Sequence, residues 1–266
     1  MSALLLLTND DGIHAGGILA LKQALVGIGE IVVVAPDRPR SASGHSITLH
    51  KPLRVNKVRM PDGGEWYSTS GTPSDCVMLA GNELLPRKPD LVLSGINDGP
   101  NLGWDLTYSG TVAAAMEGAI MGCQAMAISL VNTGHHPEWD YTVAARFAAE
   151  AARLLLAEPL PPHVLLNVNV PIPPDGRVRG ARLTVQGVRR YPGQVEKRVD
   201  PFGKTYYWLG GDLPEDTLQE GSDVHAVAEG FVSVTPVQLD LTCYAVLDEL
   251  RNCSALGRML REFGSQ

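Results

Sequence analysis

ALLLLTNDDGIHAGGILALKQALVGIGEIVVVA, residues 3–35, is the stretch that decides the fold. It starts with an uninterrupted apolar run at 3–7 and ends with a second run at 31–35. Uninterrupted apolar strands are typical of a parallel sheet that is buried on both faces. Between the two runs, apolar side chains recur at helical spacing: Ile18, Leu21, Leu25 and Ile28. The stretch therefore predicts a β-α-β unit.

The same alternation continues to about residue 170. Further strands are expected at 66–69, 90–94, 125–130 and 164–168, and helices at 73–85, 110–122 and 141–156. Strands that alternate with amphipathic helices predict the α/β class, here a doubly wound, three-layer α/β/α domain.

The pattern changes after Pro171. Residues 183–209 read as paired strands with turns at 191–193 and 200–203, and they carry the aromatic residues Tyr206, Tyr207 and Trp208. A late strand at 232–235 and a helix at 244–263 follow. We expect one domain over 1–266, with a core at 1–182, a protruding β-hairpin at 183–211, and a C-terminal strand and helix at 212–266. The hairpin either packs its own aromatics or covers the site or another subunit.

Composition excludes several classes of protein. The formal net charge is -7, and no basic stripe is present, which argues against binding to a nucleic-acid polymer. No apolar run is long enough to span a bilayer, and the N-terminal run is too short for a signal peptide. We therefore expect a cytoplasmic location and no membrane partner.

Ligands of open parallel sheets bind beyond the carboxyl ends of the strands, so the residues that follow each strand matter most. Asn9-Asp10-Asp11-Gly12 follows the first strand. Adjacent carboxylates repel each other unless a cation lies beside them, which favours a metal site. An Asx-type turn that leads into the helix explains the motif about equally well.

The ends of other predicted strands add oxygen and phosphate-binding groups. The loop after the second strand, 36–46, combines two arginines with hydroxyl side chains, and the loop after the fourth contains Asn97 between glycines. Ser109-Gly110-Thr111 then opens a helix, a position that favours anions. The candidate metal ligands are all oxygens, which suits magnesium, manganese or calcium: Asp10, Asp11, Ser41 and Asn97.

These residues lie in segments that resemble the SurE family of stationary-phase survival proteins. The matching segments are LLTNDDGIHAGGI (6–18), VVAPDRPRSASGHSITL (33–49), GTPSDCV (71–77), PDLVLSGINDGPNLG (89–103) and YSGTVAAAMEGAIMG (108–122), followed by weaker matches at 200–211 and 232–242. One departure is the order of small residues at 41–46, where the family often has Arg-Ser-Gly-Ala-Ser-Asn-Ser.

The resemblance implies a Rossmann-like fold and a metal-dependent hydrolase of nucleoside 5′- and 3′-monophosphates, sometimes also of short polyphosphate. It implies one divalent cation per subunit (Mg, Mn or Ca) and a homodimer or homotetramer formed by the C-terminal extension. It places the metal ligands on the four residues named above. The phosphate-facing residues fall on Gly99, Asn101, Ser109, Gly110 and Thr111.

Three catalytic candidates remain open as the group that positions the attacking water: Asp10, Asp11 and Asn9. Other classes of protein fit less well. A phosphoaspartate hydrolase of the haloacid-dehalogenase type needs Asp-x-Asp-x-Thr, and a signalling receiver needs an acid and a lysine that later strand ends lack. A dinucleotide-binding protein needs Gly-x-Gly-x-x-Gly, and the glycines here are spaced differently.

Overall fold

The computed structural model describes residues 2–60, 63–132, 140–173, 175–191, 193, 195–209 and 215–263. The strands are β1 (Leu4–Thr8), β2 (Glu30–Pro36), β3 (Val55–Arg59), β4 (Glu65–Thr69), β5 (Leu91–Asp98), β6 (Gln124–Asn132), β7 (Val164–Ile172), β8 (Ala181–Leu183), β9 (Val188–Arg190), β10 (Val195–Val199), β11 (Thr205–Leu209), β12 (Glu215–Thr217) and β13 (Val232–Gln238). The helices are α1 (Gly16–Ala24), α2 (Pro73–Leu79), α3 (Gly110–Ile120), α4 (Thr142–Ala157), α5 (Asp223–Ala228), α6 (Tyr244–Arg251) and α7 (Ser254–Phe263).

Within the described residues, nine strands form one sheet in the order β3-β4-β2-β1-β5-β6-β7-β13-β8. The pairs from β4 through β7 are parallel, whereas β3 and β13 run antiparallel to their neighbours β4 and β7. β1 pairs with β2 on one side and with β5 on the other, so the chain reverses its winding direction there. A crevice opens at such a switch point, beyond the carboxyl ends of the strands.

Helices cover both faces of the sheet, which confirms the predicted three-layer α/β/α class. On one face Ile18 and Leu21 of α1 pack with Ala144 and Ala148 of α4 in the main core. On the other face lie α2 and α3, where Cys76 packs with strand residues. Every residue of β1 is buried, as expected for a central strand with helices on both sides.

Several boundaries differ from the sequence expectation. The helix expected at 73–85 is α-helical only to Leu79 and continues as a π-helical turn over 80–84. Strand β3 was not expected, because only two of its five side chains are partly covered and no apolar alternation marks it. The C-terminal helix expected at 244–263 is two helices, which are separated at Asn252 and Cys253.

The region expected to be one hairpin at 183–211 has a different pairing. β8 joins the main sheet beside β13, and β9 pairs with β12 rather than with β10, so the described strands on either side of 191–193 do not form the expected hairpin; Pro192 itself lies outside the described residues. The hairpin proper is β10–β11 with its turn at 200–204. We call residues 195–209 the arm. Residues 210 and 211 of the expected excursion lie outside the described residues.

The arm buries none of its strand residues within this chain. All residues of β10 and β11 are exposed, including Tyr206, Tyr207 and Trp208. Helix α6 likewise has no buried residue. The arm aromatics therefore do not pack into a core of their own. In the part of the chain that the structure describes, no helix is long and apolar enough to cross a membrane.

Candidate metal and phosphate site

A cleft of about 400 Å³ opens at the carboxyl ends of β1 and β5. It is lined by the loops that follow β1, β2 and β5 and by the start of α3. The lining residues include Asp10, Asp11, Ser41, Asn97, Asp98, Gly99, Asn101, Asp105, Tyr108, Ser109 and Tyr191. All four predicted metal ligands line this one cleft. Of the predicted phosphate-facing residues, Gly99, Asn101 and Ser109 line it too.

Asp10 is buried directly beyond β1 and points at the start of α3. Its carboxylate accepts hydrogen bonds from the Thr111 hydroxyl and, more weakly, from the backbone amides of Thr111 and Gly110. Burial raises the pKa of Asp10 despite these bonds. A Cβ at position 110 would lie 2.9 Å from the Asp10 Cβ, so only glycine leaves room for this packing.

Asp11 lies beside Asp10 and is only partly buried. Its Oδ2 accepts a hydrogen bond of 3.1 Å from the backbone amide of Asp98 at the end of β5. Burial, together with the neighbouring charge of Asp10, raises the pKa of Asp11 to about 6. The pair thus carries the mutual repulsion that a bound cation relieves.

Asn9 stays inside the turn and does not line the cleft. It is fully buried, and its Nδ2 donates to the Gly12 carbonyl at 3.0 Å. Gly12 has φ +96°, and a Cβ there would approach the Arg38 backbone to 3.1 Å. Among the described residues Asn9 Oδ1 accepts no hydrogen bond, so the Asx-type turn expected as an alternative does not form, and the Asn9 side chain closes the turn through its amide nitrogen instead.

The loop after β2 is hydrogen-bonded to two other segments that line the cleft. The Arg40 amide donates to the Asp10 carbonyl at 2.7 Å, and the Gly44 amide donates to the Tyr108 carbonyl at 2.9 Å. His45 Nε2 lies 3.0 Å from the Glu117 carboxylate of α3. Ser41 is exposed at the mouth of the cleft, next to Ala42, whose φ of 55° lies in the left-handed region.

Asn97 lies where β5 loses regular register with β6. Its Nδ2 donates to the Gly99 carbonyl at 2.9 Å. This bond fixes the amide so that its oxygen, the atom that a cation binds, is the opposite end of the group.

Asn101 is held by a cluster of buried polar side chains that was not predicted from the sequence. Its backbone carbonyl accepts from the side-chain amides of Asn167 and Asn169, at 2.9 and 3.0 Å, and its own side chain donates to the Ser129 hydroxyl at 2.7 Å. The available signal was the pair of asparagines in the otherwise apolar strand LLNVNV, 165–170. Buried polar side chains in a central strand require hydrogen-bond partners. Here the partner is the backbone of the loop that lines the cleft.

The start of α3 differs in part from its expected role. Ser109 caps the helix, since its hydroxyl oxygen accepts from the Val112 amide at 3.1 Å, and its own proton is left to donate elsewhere. Thr111 is fully buried and donates its hydroxyl to Asp10. Its side chain therefore orients a carboxylate. The expectation that this hydroxyl faces phosphate does not match its position.

The donor set fits a hard divalent cation. Two adjacent carboxylates with a hydroxyl and an amide oxygen are all oxygen ligands. The Ser43 hydroxyl is buried and has no hydrogen-bond partner among the residues that the structure describes, and it would lie 2.8 Å from a Cβ at position 110, beside Asp10. Within the described ranges, no three His, Cys, Asp or Glu side chains converge on a point where a metal ion fits, so a cation here would also need the hydroxyl and amide oxygens.

Two further networks border the cleft, and neither was anticipated. The Tyr141 hydroxyl, from the residue before α4, donates to Asp98. On the other side, Asp105 Oδ2 accepts from Tyr191 at 2.9 Å and lies 3.3 Å from Arg189 Nη1. The two residues of each pair are 43 (Asp98 and Tyr141), 86 (Asp105 and Tyr191) and 84 (Asp105 and Arg189) positions apart in the sequence. No local sequence pattern therefore predicts these contacts.

Comparison with known proteins places the chain among close relatives. The family model described as "Survival protein SurE" matches residues 5–193. Curated proteins named "5′-nucleotidase SurE" from Geobacter sulfurreducens and Symbiobacterium thermophilum are 50% and 51% identical, covering 93% and 94% of this chain and 92% and 97% of their own lengths. The crystal structure of the SurE protein from Aquifex aeolicus superimposes with a TM-score of 0.79 at 43% identity, covering 94% of this chain and 98% of that one. The chain belongs to the SurE family.

Proposed function

We propose that the chain is a divalent-cation-dependent phosphomonoesterase that hydrolyses nucleoside 5′-monophosphates, and that it also accepts 3′-monophosphates and short polyphosphate. One observation carries the proposal: two carboxylates, a hydroxyl and an amide from three strand ends line a single cleft beside a capped helix start. The relatives named "5′-nucleotidase SurE", at about 50% identity over most of the chain, support the substrate class.

Asp10, Asp11, Ser41 and Asn97 would hold one cation per subunit, which is Mg²⁺, Mn²⁺ or Ca²⁺. A cation held there supplies positive charge for the phosphoryl group. The chain itself is acidic, with a net charge of -7, so this charge has to be supplied locally. Ser109 donates its hydroxyl proton to a phosphate oxygen, while Gly99 and Asn101 shape the wall behind the phosphate.

Asp11 is the group that we assign to orienting the attacking water. Asn9 is fully buried and bonded to Gly12, and the Asp10 carboxylate already accepts from Thr111 and the helix amides. Asp11 lies at the cleft, and the hydrogen bond from the Asp98 amide is made to one of its two oxygens, Oδ2. Asn9 and Thr111 are then positioning residues. The same arrangement argues against Asp10 as a phosphoaspartate nucleophile, because its carboxylate is buried and bonded.

Phosphate release tests the proposal directly. The substrates are 5′-AMP, 3′-AMP and tripolyphosphate, each with Mg²⁺, with Mn²⁺ or with chelator. We expect release from 5′-AMP with a cation and none with chelator. No release from any nucleotide under any of these conditions would overturn the assignment, and trapping of a phosphorylated aspartate would replace it with the phosphoaspartate mechanism.

We further propose that the arm and helices α6 and α7 pack against other copies of this chain, forming a homodimer or homotetramer. The support is exposed apolar surface: Tyr207 and Trp208 are each 59% exposed, and Phe202 at the arm's turn is 89% exposed. Light scattering after size-exclusion chromatography would show a loss of assembly in Tyr207→Ser/Trp208→Ser. An unchanged mass would exclude the arm from the contact. The cytoplasmic location stays a prediction.

A further inference from the structure

Two exposed tyrosine rings line the same cleft as the acids. Tyr108 is 65% exposed and Tyr191 is 56% exposed, and both belong to the cleft wall. Single exposed aromatic residues on a protein surface are ordinary. Two of them in one cleft that is also lined by acidic side chains are a specific feature of this wall.

Both tyrosines are anchored on one residue, Asp105. The Tyr191 hydroxyl donates to Asp105 Oδ2 at 2.9 Å, and the Tyr108 amide donates to the Asp105 carbonyl at 3.0 Å. Asp105 in turn is held by Arg189, which is buried and forms two hydrogen bonds with Asp216, at 2.7 and 2.8 Å. The Tyr191 ring is therefore held in place before any ligand binds, which lowers the entropic cost of binding, and the backbone of Tyr108 is fixed on the same residue.

The cleft is larger than a phosphate group requires. Its volume of about 400 Å³ lies in the range of sites for whole small molecules. The acidic side chains provide for a cation and phosphate, while the tyrosine rings offer flat apolar faces. A nucleobase is flat, aromatic and uncharged. Every base can stack on such faces, whichever hydrogen-bond donors and acceptors it carries at its edge.

We propose that Tyr191, together with Tyr108, forms the wall on which the base of the substrate stacks, so that these two residues make the site prefer nucleotides to smaller phosphomonoesters. The proposal rests on the proposed function and deepens it. Because stacking uses the ring face, it gives little discrimination between bases. The hydroxyl of Tyr191 serves to hold the ring on Asp105 and does not contact the base.

The test compares Tyr191→Ala and Tyr191→Phe with the wild type on two substrates, 5′-AMP and ribose 5-phosphate, which lacks a base. For 5′-AMP, Tyr191→Ala raises KM about 10-fold with little change in kcat, within the range that removal of one stacking ring costs. For ribose 5-phosphate, kcat/KM stays near the wild-type value. Tyr191→Phe keeps most of the affinity for 5′-AMP. Tyr108→Ala removes the second ring, which is more exposed than that of Tyr191. This variant tests the contribution of Tyr108 separately.

Binding of adenosine, measured by equilibrium dialysis, separates this proposal from the proposed function because adenosine carries no phosphate. We expect weaker binding in both alanine variants. Equal adenosine affinity in all proteins, or an equal fall in kcat/KM for 5′-AMP and ribose 5-phosphate, would overturn the aromatic wall. Weakened adenosine binding with no phosphate release by the wild type would keep the wall and overturn the hydrolase assignment.

Discussion

The cleft edge and the outer parts of the molecule are built on opposite principles. At the cleft edge, Asp10 and Asn101 are buried, and their polar atoms are bonded to strands, turns and a helix start. In what we call the outer region, the arm and residues 240–263, apolar side chains are exposed and the ion pairs are local, such as Arg198 with Glu196. The edge gains its geometry from within one chain, whereas the outer region has surface to offer to other molecules.

The largest expected contrast between the two regions is catalytic. Asp10→Asn should lower metal-dependent phosphate release from 5′-AMP about 1000-fold, the scale on which loss of a key electrostatic group acts. The fold should persist, because asparagine can still accept from Thr111. Circular dichroism and steady-state kinetics check both statements. Asp240→Asn in the outer region is the matched control, and a similar loss in that variant would remove the contrast.

Arg189→Ala should produce the largest difference in stability. Arg189 is buried and pairs with Asp216 and Asp105, so its removal leaves two carboxylates without their cation. We expect the free energy of unfolding in urea to fall by about 3 kcal/mol. Arg198→Ala removes an exposed pair in the arm and should cost at most about 0.5 kcal/mol. Equal costs would mean that burial does not distinguish these two arginines.

The dependence of stability on pH should have opposite signs in the two regions. In the metal-free protein the Asp11 pKa is raised by burial and by Asp10, from 3.8 to about 6. The folded state then binds the proton more tightly than the unfolded state, so the Asp11 contribution to the unfolding free energy declines as pH rises from about 4 to 6. Asp240 has its pKa lowered by the Tyr244 hydroxyl, and its contribution is instead lost as pH falls.

Urea titrations over this pH range check the signs. Asp11→Asn should remove part of the decline, and Asp240→Asn should not. A saturating divalent cation should also suppress the decline, since it compensates the ionised pair. A decline that persists unchanged in Asp11→Asn would assign it to another group.

The smallest expected effect concerns two backbone positions with positive φ. Ala42, beside Ser41, has φ 55°, whereas Gly203 in the turn of the arm has φ 80°. Ala42→Gly relieves about 1 kcal/mol of strain but adds entropy to the unfolded chain, so we expect a net gain of at most about 0.5 kcal/mol. Gly203→Ala should cost about 1 kcal/mol, although a Cβ there meets no atom within 4 Å. Thermal denaturation of both variants checks the signs.

The sequence was sufficient for the parts of the site that follow from strand order. Asp10, Asp11 and Asn97 lie at the carboxyl ends of strands that parallel pairing brings together, so their proximity follows from a general rule. The role of Thr111 did not follow, because its rotation toward Asp10 depends on how α3 approaches β1. At the start of a helix, the same residue type can face either the ligand or the core.

The aromatic side of the cleft could not be predicted for a different reason. β9 and β12 have three residues each, too few for a pattern, and they pair across the arm that separates them. Tyr191 therefore read as part of a hairpin turn, and its bond to Asp105 was hidden. Of the expected hairpin, the turn at 200–203 was predicted correctly, and β10 and β11 pair around it.

The pairing of Arg189 with Asp216 also has a consequence for the order in which the protein is completed during synthesis. The acids, the loop after β2, Asn97 and the start of α3 all lie before residue 112, whereas Asn101 gains its clamp only when Asn169 has been made. The wall formed by Tyr191 waits longer still, until Asp216 is available to fix Arg189. A growing chain thus contains the residues proposed to hold the cation well before it contains Asp216, so the Tyr191 part of the proposed base wall is the last part of the cleft to be fixed.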